Sequence, residues 1–126
     1  MEKLPDKYKE YIFSRGTMKN VDLMRKYTNF IDDLKKENDG MYPRYIDFKM
    51  LDLYKQAKRL VRLIELTDEL EYYDEKDNWD RISIHLLDEI FDKMNGIAPE
   101  GTYFGSSLGD GTLYGFHQIQ KKKEVK

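Results

Sequence analysis

At 126 residues with a formal net charge of −2, the chain has the length of one domain, and a core of that size is stable without cross-links. Charged residues make up 37%, well above the roughly 25% of an average globular protein, yet 13% aromatic residues exclude a disordered chain, which lacks the large apolar side chains that offset ordering entropy. The absence of cysteine excludes disulfides, thiolate nucleophiles and cysteine-held zinc; with no apolar leader and no apolar run near about twenty residues, a soluble cytoplasmic protein without a membrane partner is expected.

Charge is unevenly placed. Residues 1–63 carry 15 basic and 10 acidic side chains, whereas 64–126 carry 7 and 14. Between Glu65 and Asp92 there are 11 acidic residues against Lys76 and Arg81. Such asymmetry marks either an electrostatic partner surface or two solvated helix faces turned in opposite directions.

In chain order, Pro5 followed by Asp6 to Phe13 predicts a short first helix with Tyr8, Tyr11 and Ile12 inward, closed by Gly16. Thr17 or Asn20 then caps a second helix to about Glu37, whose apolar positions Val21, Leu23, Met24, Tyr27, Phe30, Ile31 and Leu34 share one face. Asn38-Asp39-Gly40 is a strong stop, and Pro43 resets the chain. The longest periodic segment runs from Arg44 to about Tyr73. Ile46, Met50, Leu53, Ala57, Leu60 and Ile64 form its main stripe, and Leu51, Tyr54, Val61, Leu63, Leu66, Leu70 and Tyr73 widen it. Such a helix is the spine of a bundle, and its broad seam is also a candidate homodimer interface over residues 44–73.

The charges of this helix run against its dipole: Lys49, Lys55, Lys58, Arg59 and Arg62 precede Glu65, Asp68, Glu69 and Glu71. Cations stabilise a helix C-terminus and anions its N-terminus, each by about 0.3–1 kcal/mol. Antiparallel pairing with another helix, or with a second copy, relieves the conflict. Tyr72 to Asn78 then reads as a connection, with Asp77 or Asn78 capping a fourth helix from Trp79 to Met94. Its inward set is Trp79, Ile82, Leu86, Leu87, Ile90, Phe91 and Met94. Asn95-Gly96 and Pro99 close it.

After Pro99 the period changes. Thr102-Tyr103-Phe104 and Leu113-Tyr114-Gly115-Phe116-His117-Gln118-Ile119 suit strands, and Asp110-Gly111 supplies the positive backbone angles of a tight turn. A β-hairpin over residues 101–119 is predicted. The expected fold is therefore mainly α, about four helices in a small bundle with a C-terminal β-hairpin, in one domain over 1–120 followed by a basic tail, 121–126.

No catalytic set assembles from these patterns. His85 has Asp88 and Glu89 at helical spacing, but there is no Glu-x-x-His pair and no His-Glu-x-x-His, so a salt-bridged surface histidine is expected and no metal site. The carboxylate pairs Asp32-Asp33, Asp68-Glu69, Asp74-Glu75 and Asp88-Glu89 diverge by about 100° on a helix and do not converge on a cleft. Gly105-x-x-x-Gly109-x-Gly111 lacks the Lys-Ser/Thr and the strand–helix context of a phosphate loop, and Ser106 and Ser107 have no positioned base. No cofactor is expected.

Two electrostatic readings remain. Lys55, Lys58, Arg59 and Arg62, with Tyr54, form a basic helix face able to meet nucleic-acid phosphates, to which Lys121, Lys122 and Lys123 add a mobile arm. Conversely, the carboxylates of Glu65–Asp92 either imitate a phosphate backbone or simply keep the protein dissolved.

The run from Phe91 to Phe116, with Ala98-Pro99-Glu100-Gly101, Tyr103-Phe104-Gly105, Asp110-Gly111 and Tyr114-Gly115-Phe116, resembles a segment that ends small uncharacterised proteins of phages and mobile elements. Members of that group often carry tryptophan where His117 stands here. The resemblance covers about a fifth of the chain and implies an origin, with no activity attached. In physical terms the four glycines expose backbone, while strand alternation prevents Tyr103 and Phe104 from sharing a face. Part of the aromatic surface is thus expected to meet a partner. The functional expectation is a non-enzymatic binding protein of phage or mobile-element type, touching a partner protein through Tyr103, Phe104, Gly105, Gly109, Asp110, Gly111, Tyr114, Phe116 and His117. The alternative is a nucleic-acid-binding regulator using Lys55, Lys58, Arg59 and Arg62. A hydrolase or metal-dependent enzyme is a third reading.

Overall fold

Pro5 starts a single 3-10 turn, Asp6–Tyr8, because the amides of Tyr8 and Lys9 find acceptors at Pro5 and Asp6 only three residues back. The chain is described by a computed structural model over residues 3–16, 19–70, 73–107, 111 and 113–119, with backbone alone for 68–70 and 73–77. The predicted first helix is therefore wrong. Past the turn, Glu10 takes a positive φ of 66°, and Ile12–Ser14 extend as strand β1. Tyr8, Phe13 and Ser14 are buried, Tyr11 and Ile12 half-buried.

Three helices follow among the described residues, not four: α1 (Asn20–Glu37), α2 (Phe48–Leu70) and α3 (Tyr73–Gly96). The predicted stripe of α1 is its buried face; Met24, Tyr27 and Ile31 are fully enclosed. The predicted cap at Asn20 is instead the first helical residue, Lys19 holding the cap position without a side-chain bond; Thr17 lies outside the described residues. Asn38-Asp39-Gly40 ends α1 as expected, with Gly40 at φ 81° donating its amide to the Lys35 carbonyl, the left-handed geometry that glycine adopts without penalty.

Helix α2 begins at Phe48 rather than Arg44, because Asp47 caps it: one carboxylate oxygen accepts the Met50 amide at 2.8 Å and the other meets Lys93 at 2.9 Å. Helix α3 begins at Tyr73, so the predicted connection through Asn78 and the cap at Asp77 or Asn78 are overturned. Thr67 and Trp79, joined by an indole-to-hydroxyl bond of 2.9 Å, face each other across the α2–α3 hairpin. That pairing places the reversal about midway between them, upstream of the predicted cap.

The helices run up, down and up. Asp32 meets Tyr54 and Lys58 while Arg25 meets Glu65, and Lys49 meets Glu89; in both pairs the numbers ascend on one helix as they descend on the other. The unfavourable charge order of α2 is answered only in part within the chain: Lys49 near its start pairs with Glu89 of α3, and Lys58 and Glu65 pair with Asp32 and Arg25 of α1.

The predicted hairpin forms from β2 (Thr102–Ser106) and β3 (Tyr114–Gln118), registered Thr102↔Gln118, Phe104↔Phe116 and Ser106↔Tyr114. It is part of a larger unit. β1 adds to the other edge of β3 in antiparallel sense, with a register irregularity between Ile12 and Ser14, so the sheet order is β1-β3-β2. One sheet face rests on α1 and α3 through an aromatic cluster. Phe104 meets Phe13 at 5.0 Å, Phe91 at 5.2 Å and Phe116 at 5.3 Å between ring centroids. Such edge-on and tilted pairs contribute about 0.5–1.5 kcal/mol each beyond the area they bury. Two backbone bonds close the unit: Leu4 donates to Ile97 and Ile119 to Gly101. No helix among the described residues is long and apolar enough to cross a membrane.

Candidate functional site

The hairpin set does not come together as one surface. Phe104 and Phe116 are core residues, the latter fully buried, and Tyr114 turns inward onto Phe91 at 5.4 Å. These three point to the helices because they share one strand parity; the expectation of an exposed contact surface is corrected for the buried Phe104 and Phe116, whereas Tyr114 stays half-buried. Gly109 and Asp110 lie outside the described residues, as do Leu108 and Thr112. Gly111 is exposed and Gly105 half-buried.

Among the described residues, only Tyr103 and His117 form an aromatic pair on the outer face, with centroids 5.6 Å apart. Both fold back onto their own hairpin. The Tyr103 hydroxyl donates to the Ser106 carbonyl at 3.1 Å, and a His117 ring nitrogen sits 3.2 Å from the Leu113 carbonyl. The Tyr103 ring also covers Gly105, at 3.6 Å from where a Cβ would stand. These side chains shield a glycine-rich hairpin, as an aromatic does when it lies across a strand glycine.

The basic set does come together. Lys55, Lys58, Arg59 and Arg62 are exposed on successive turns of α2 and line one open concavity of about 560 Å³. Lys58 is fixed: it lies 4.7 Å over the Tyr54 ring and 3.6 Å from Asp32. Bonding to Tyr54, and then the nearby Asp32 carboxylate, hold its ammonium pKa above the usual value. Among the described residues, Lys55, Arg59 and Arg62 have no ion pair. Lys121, Lys122 and Lys123 lie outside the described residues.

Beside this patch, α2 and α3 enclose an apolar groove of about 300 Å³ lined by Gln56, Arg59, Leu60, Leu63, Trp79, Ile82 and Leu86. Arg59 lines both concavities. Ile82, expected inward, is 48% exposed. Ser83 takes the buried place beside it, its hydroxyl donating to the Trp79 carbonyl at 2.6 Å. Leu66, also expected inward, is 47% exposed, and Phe48 is 91% exposed at the start of α2. Spacing alone gives Phe48 no role and places Ile82 and Leu66 in the core. Their signal was available: residues 48, 55, 59, 62 and 66 recur at helical spacing on the side of α2 opposite Leu53, Ala57 and Leu60.

A second polar cluster ties the N-terminal turn to the end of α1. The Tyr8 hydroxyl donates to Glu37 at 2.5 Å, and Lys7 meets the same carboxylate at 3.3 Å. Bonding to Tyr8 and then to Lys7 holds the Glu37 pKa low, while burial, then the bond to Glu37, pushes the Tyr8 phenol well up. A phenol so held stays protonated and serves as a strut rather than a nucleophile.

His85 is exposed, and no group of three histidine or carboxylate side chains among the described residues is arranged to hold a metal ion. Of the acidic stretch, Glu65 pairs with Arg25 and Glu89 with Lys49, whereas the side chains of Asp68, Glu69, Asp74, Glu75 and Asp77, and Glu71 altogether, lie outside the described residues. Compared with known proteins, the chain matches no family model, no curated protein and no solved structure.

Proposed function

We propose that the chain is a non-enzymatic binding protein, of the phage or mobile-element type that its C-terminal segment resembles, and that it docks on a partner protein through the outer side of α2 and the α2–α3 groove. The single observation that carries this reading is Arg59 standing at the junction of an apolar groove and a cationic stripe that has no ion pair among the described residues. Apolar surface beside arginine and a half-buried tryptophan is the composition of protein interfaces. The hairpin is better understood as the clasp that closes the core.

The test is quantitative capture from lysate with wild type, Arg59→Glu/Leu63→Asp and Tyr103→Ala/His117→Ala. The expected result is a partner retained by the hairpin variant and lost by the α2 variant. Loss from the hairpin variant alone, or identical partner lists for all three, refutes the assignment.

The same three unpaired cations favour nucleic acid as a second reading. It predicts a mobility shift of DNA or RNA that weakens steeply with salt. A shift abolished by Arg59→Glu/Arg62→Glu, together with an unchanged protein partner list, makes it the better account.

A further inference from the structure

We infer that the occupant of the α2–α3 groove is an acidic amphipathic helix, which takes the place of a fourth helix in this three-helix array. The inference rests on the reading above that this face docks a protein. The groove floor spans Gln56 to Leu63 on α2 and Trp79 to Leu86 on α3, two helical turns or about 10 Å. A volume of about 300 Å³ lies at the bottom of the range of small-molecule pockets. It suits a few aliphatic side chains projected one turn apart, the way an amphipathic helix enters a groove.

Charge selects among occupants. Lys55, Arg59 and Arg62 recur at spacings of four and three, so they form a straight row about 10 Å long on the solvent side of α2. A helix seated over Leu63 and Ile82 runs alongside this row and meets it with carboxylates at matching spacing. The exposed Phe48 and Leu66 bracket the row and give apolar ends to a longer contact. A second copy laid antiparallel on α2 and centred on Arg59 sets the cationic row against itself, which like-charge repulsion disfavours; a copy in a shifted register, with the row against the acidic end of α2, is the competing occupant that sedimentation detects. Nucleic acid satisfies the row but leaves Leu63 and Ile82 without apolar cover.

The experiment selects displayed 18-residue helical peptides, randomised among Leu, Ile, Glu and Lys, on the full-length chain. Wild type is expected to enrich Leu or Ile one turn apart with Glu along the adjoining face. The Arg59→Glu/Arg62→Glu variant, checked for native circular dichroism, is expected to enrich Lys at those same positions. A selected peptide binds wild type at least about tenfold more tightly than its Glu→Lys counterpart, and shifts the amide resonances around Leu63 and Ile82. Selection without charge preference, no enrichment at all, or shifts elsewhere overturns the inference. So does self-association in sedimentation that Arg59→Glu abolishes, or binding of an oligonucleotide, and of no selected peptide, at these residues. If peptide selection fails while lysate capture still depends on Arg59, the helical occupant falls and the docking face stands. If capture is also indifferent to Arg59, the docking face falls with it.

Discussion

The carbonyl oxygen of Tyr11 lies 2.2 Å from the point where a side chain on Gly115 would begin. The approach is set by the two backbone hydrogen bonds of the next residue: the Phe116 amide donates to that carbonyl at 3.0 Å, and the Glu10 amide donates to the Phe116 carbonyl at 3.1 Å. A carbonyl tied in this way to the neighbouring residue has little room to yield. Gly115 is therefore where the N-terminal strand is admitted to the sheet.

Gly115→Ala is expected to destabilise the protein by about 3 kcal/mol, the upper end of overpacking costs, because the obstacle is backbone rather than a side chain that can turn aside. Urea denaturation measures it. Gly105→Ala is the control: its nearest neighbour is the flexible Tyr103 ring at 3.6 Å, and it is expected to change stability by less than about 1 kcal/mol.

The two faces of the hairpin are expected to respond unequally. Phe116→Ala removes a fully buried ring and costs about 3–5 kcal/mol, enough to unfold much of a marginally stable population. Tyr103→Ala removes a half-buried ring and one hydroxyl bond, costing about 1 kcal/mol. Equal losses would show that the outer pair is as much a part of the core as the inner one.

Stability is expected to fall at both ends of the pH scale. At Asp47, burial pushes the carboxyl up, but the Lys93 ammonium and the Met50 amide outweigh it, so its pKa is lowered; that of Glu37 is lowered too. Their contribution is complete above the unfolded carboxylate value of about 4 and is lost as pH falls through the folded values. Tyr8, Tyr27 and Tyr54 are shifted upward, chiefly by burial. Their contribution is complete below the unfolded phenol value of about 10 and is lost as pH rises through the folded values. Asp47→Asn keeps a capping oxygen but not the charge that meets Lys93. It is expected to cost no more than about 1 kcal/mol at neutral pH and to make the acid limb shallower. Thermal melts from pH 3 to 11 check both limbs, and an unchanged acid limb in Asp47→Asn would remove Asp47 from the account.

What could be read from the sequence was what local periodicity encodes. The stripe of α1 and the main stripe of α2 match their buried faces almost residue for residue, and the hairpin follows from its two strand-like stretches. Its turn signal does not carry it, because the ladder ends at Ser106 and Tyr114 and Gly111 has no positive φ, while Asp110 lies outside the described residues. Misreadings occurred where distant partners decide. Tyr8, Tyr11, Ile12 and Phe13 fit helical spacing as well as strand alternation, and the choice is made by the free edge of β3, far along the chain. Asp77 and Asn78 are good caps, yet α3 starts before them because Thr67 and Trp79 have to face each other. Ile82 reads as core from its spacing, but the small buried Ser83 lies closer to the helix interface. The basic set was legible because it lies along a single helix. The groove beside it was not, since it exists only once two helices are placed.

The order β1-β3-β2 joins the two ends of the described chain in one sheet. Pairing Ile12 with Gly115 closes a loop of roughly a hundred residues, an entropic cost of about 4 kcal/mol for a flexible chain. The two registered pairs of β1 with β3 cannot offset that alone, so the helices have to bring the ends near one another first. β1 is then expected to be the last element to arrive during folding and the first to leave during partial opening. The α2–α3 face is assembled from neighbours in sequence, whereas β1 packs on β3 and α1, so the availability of that face is expected not to depend on whether the clasp is shut.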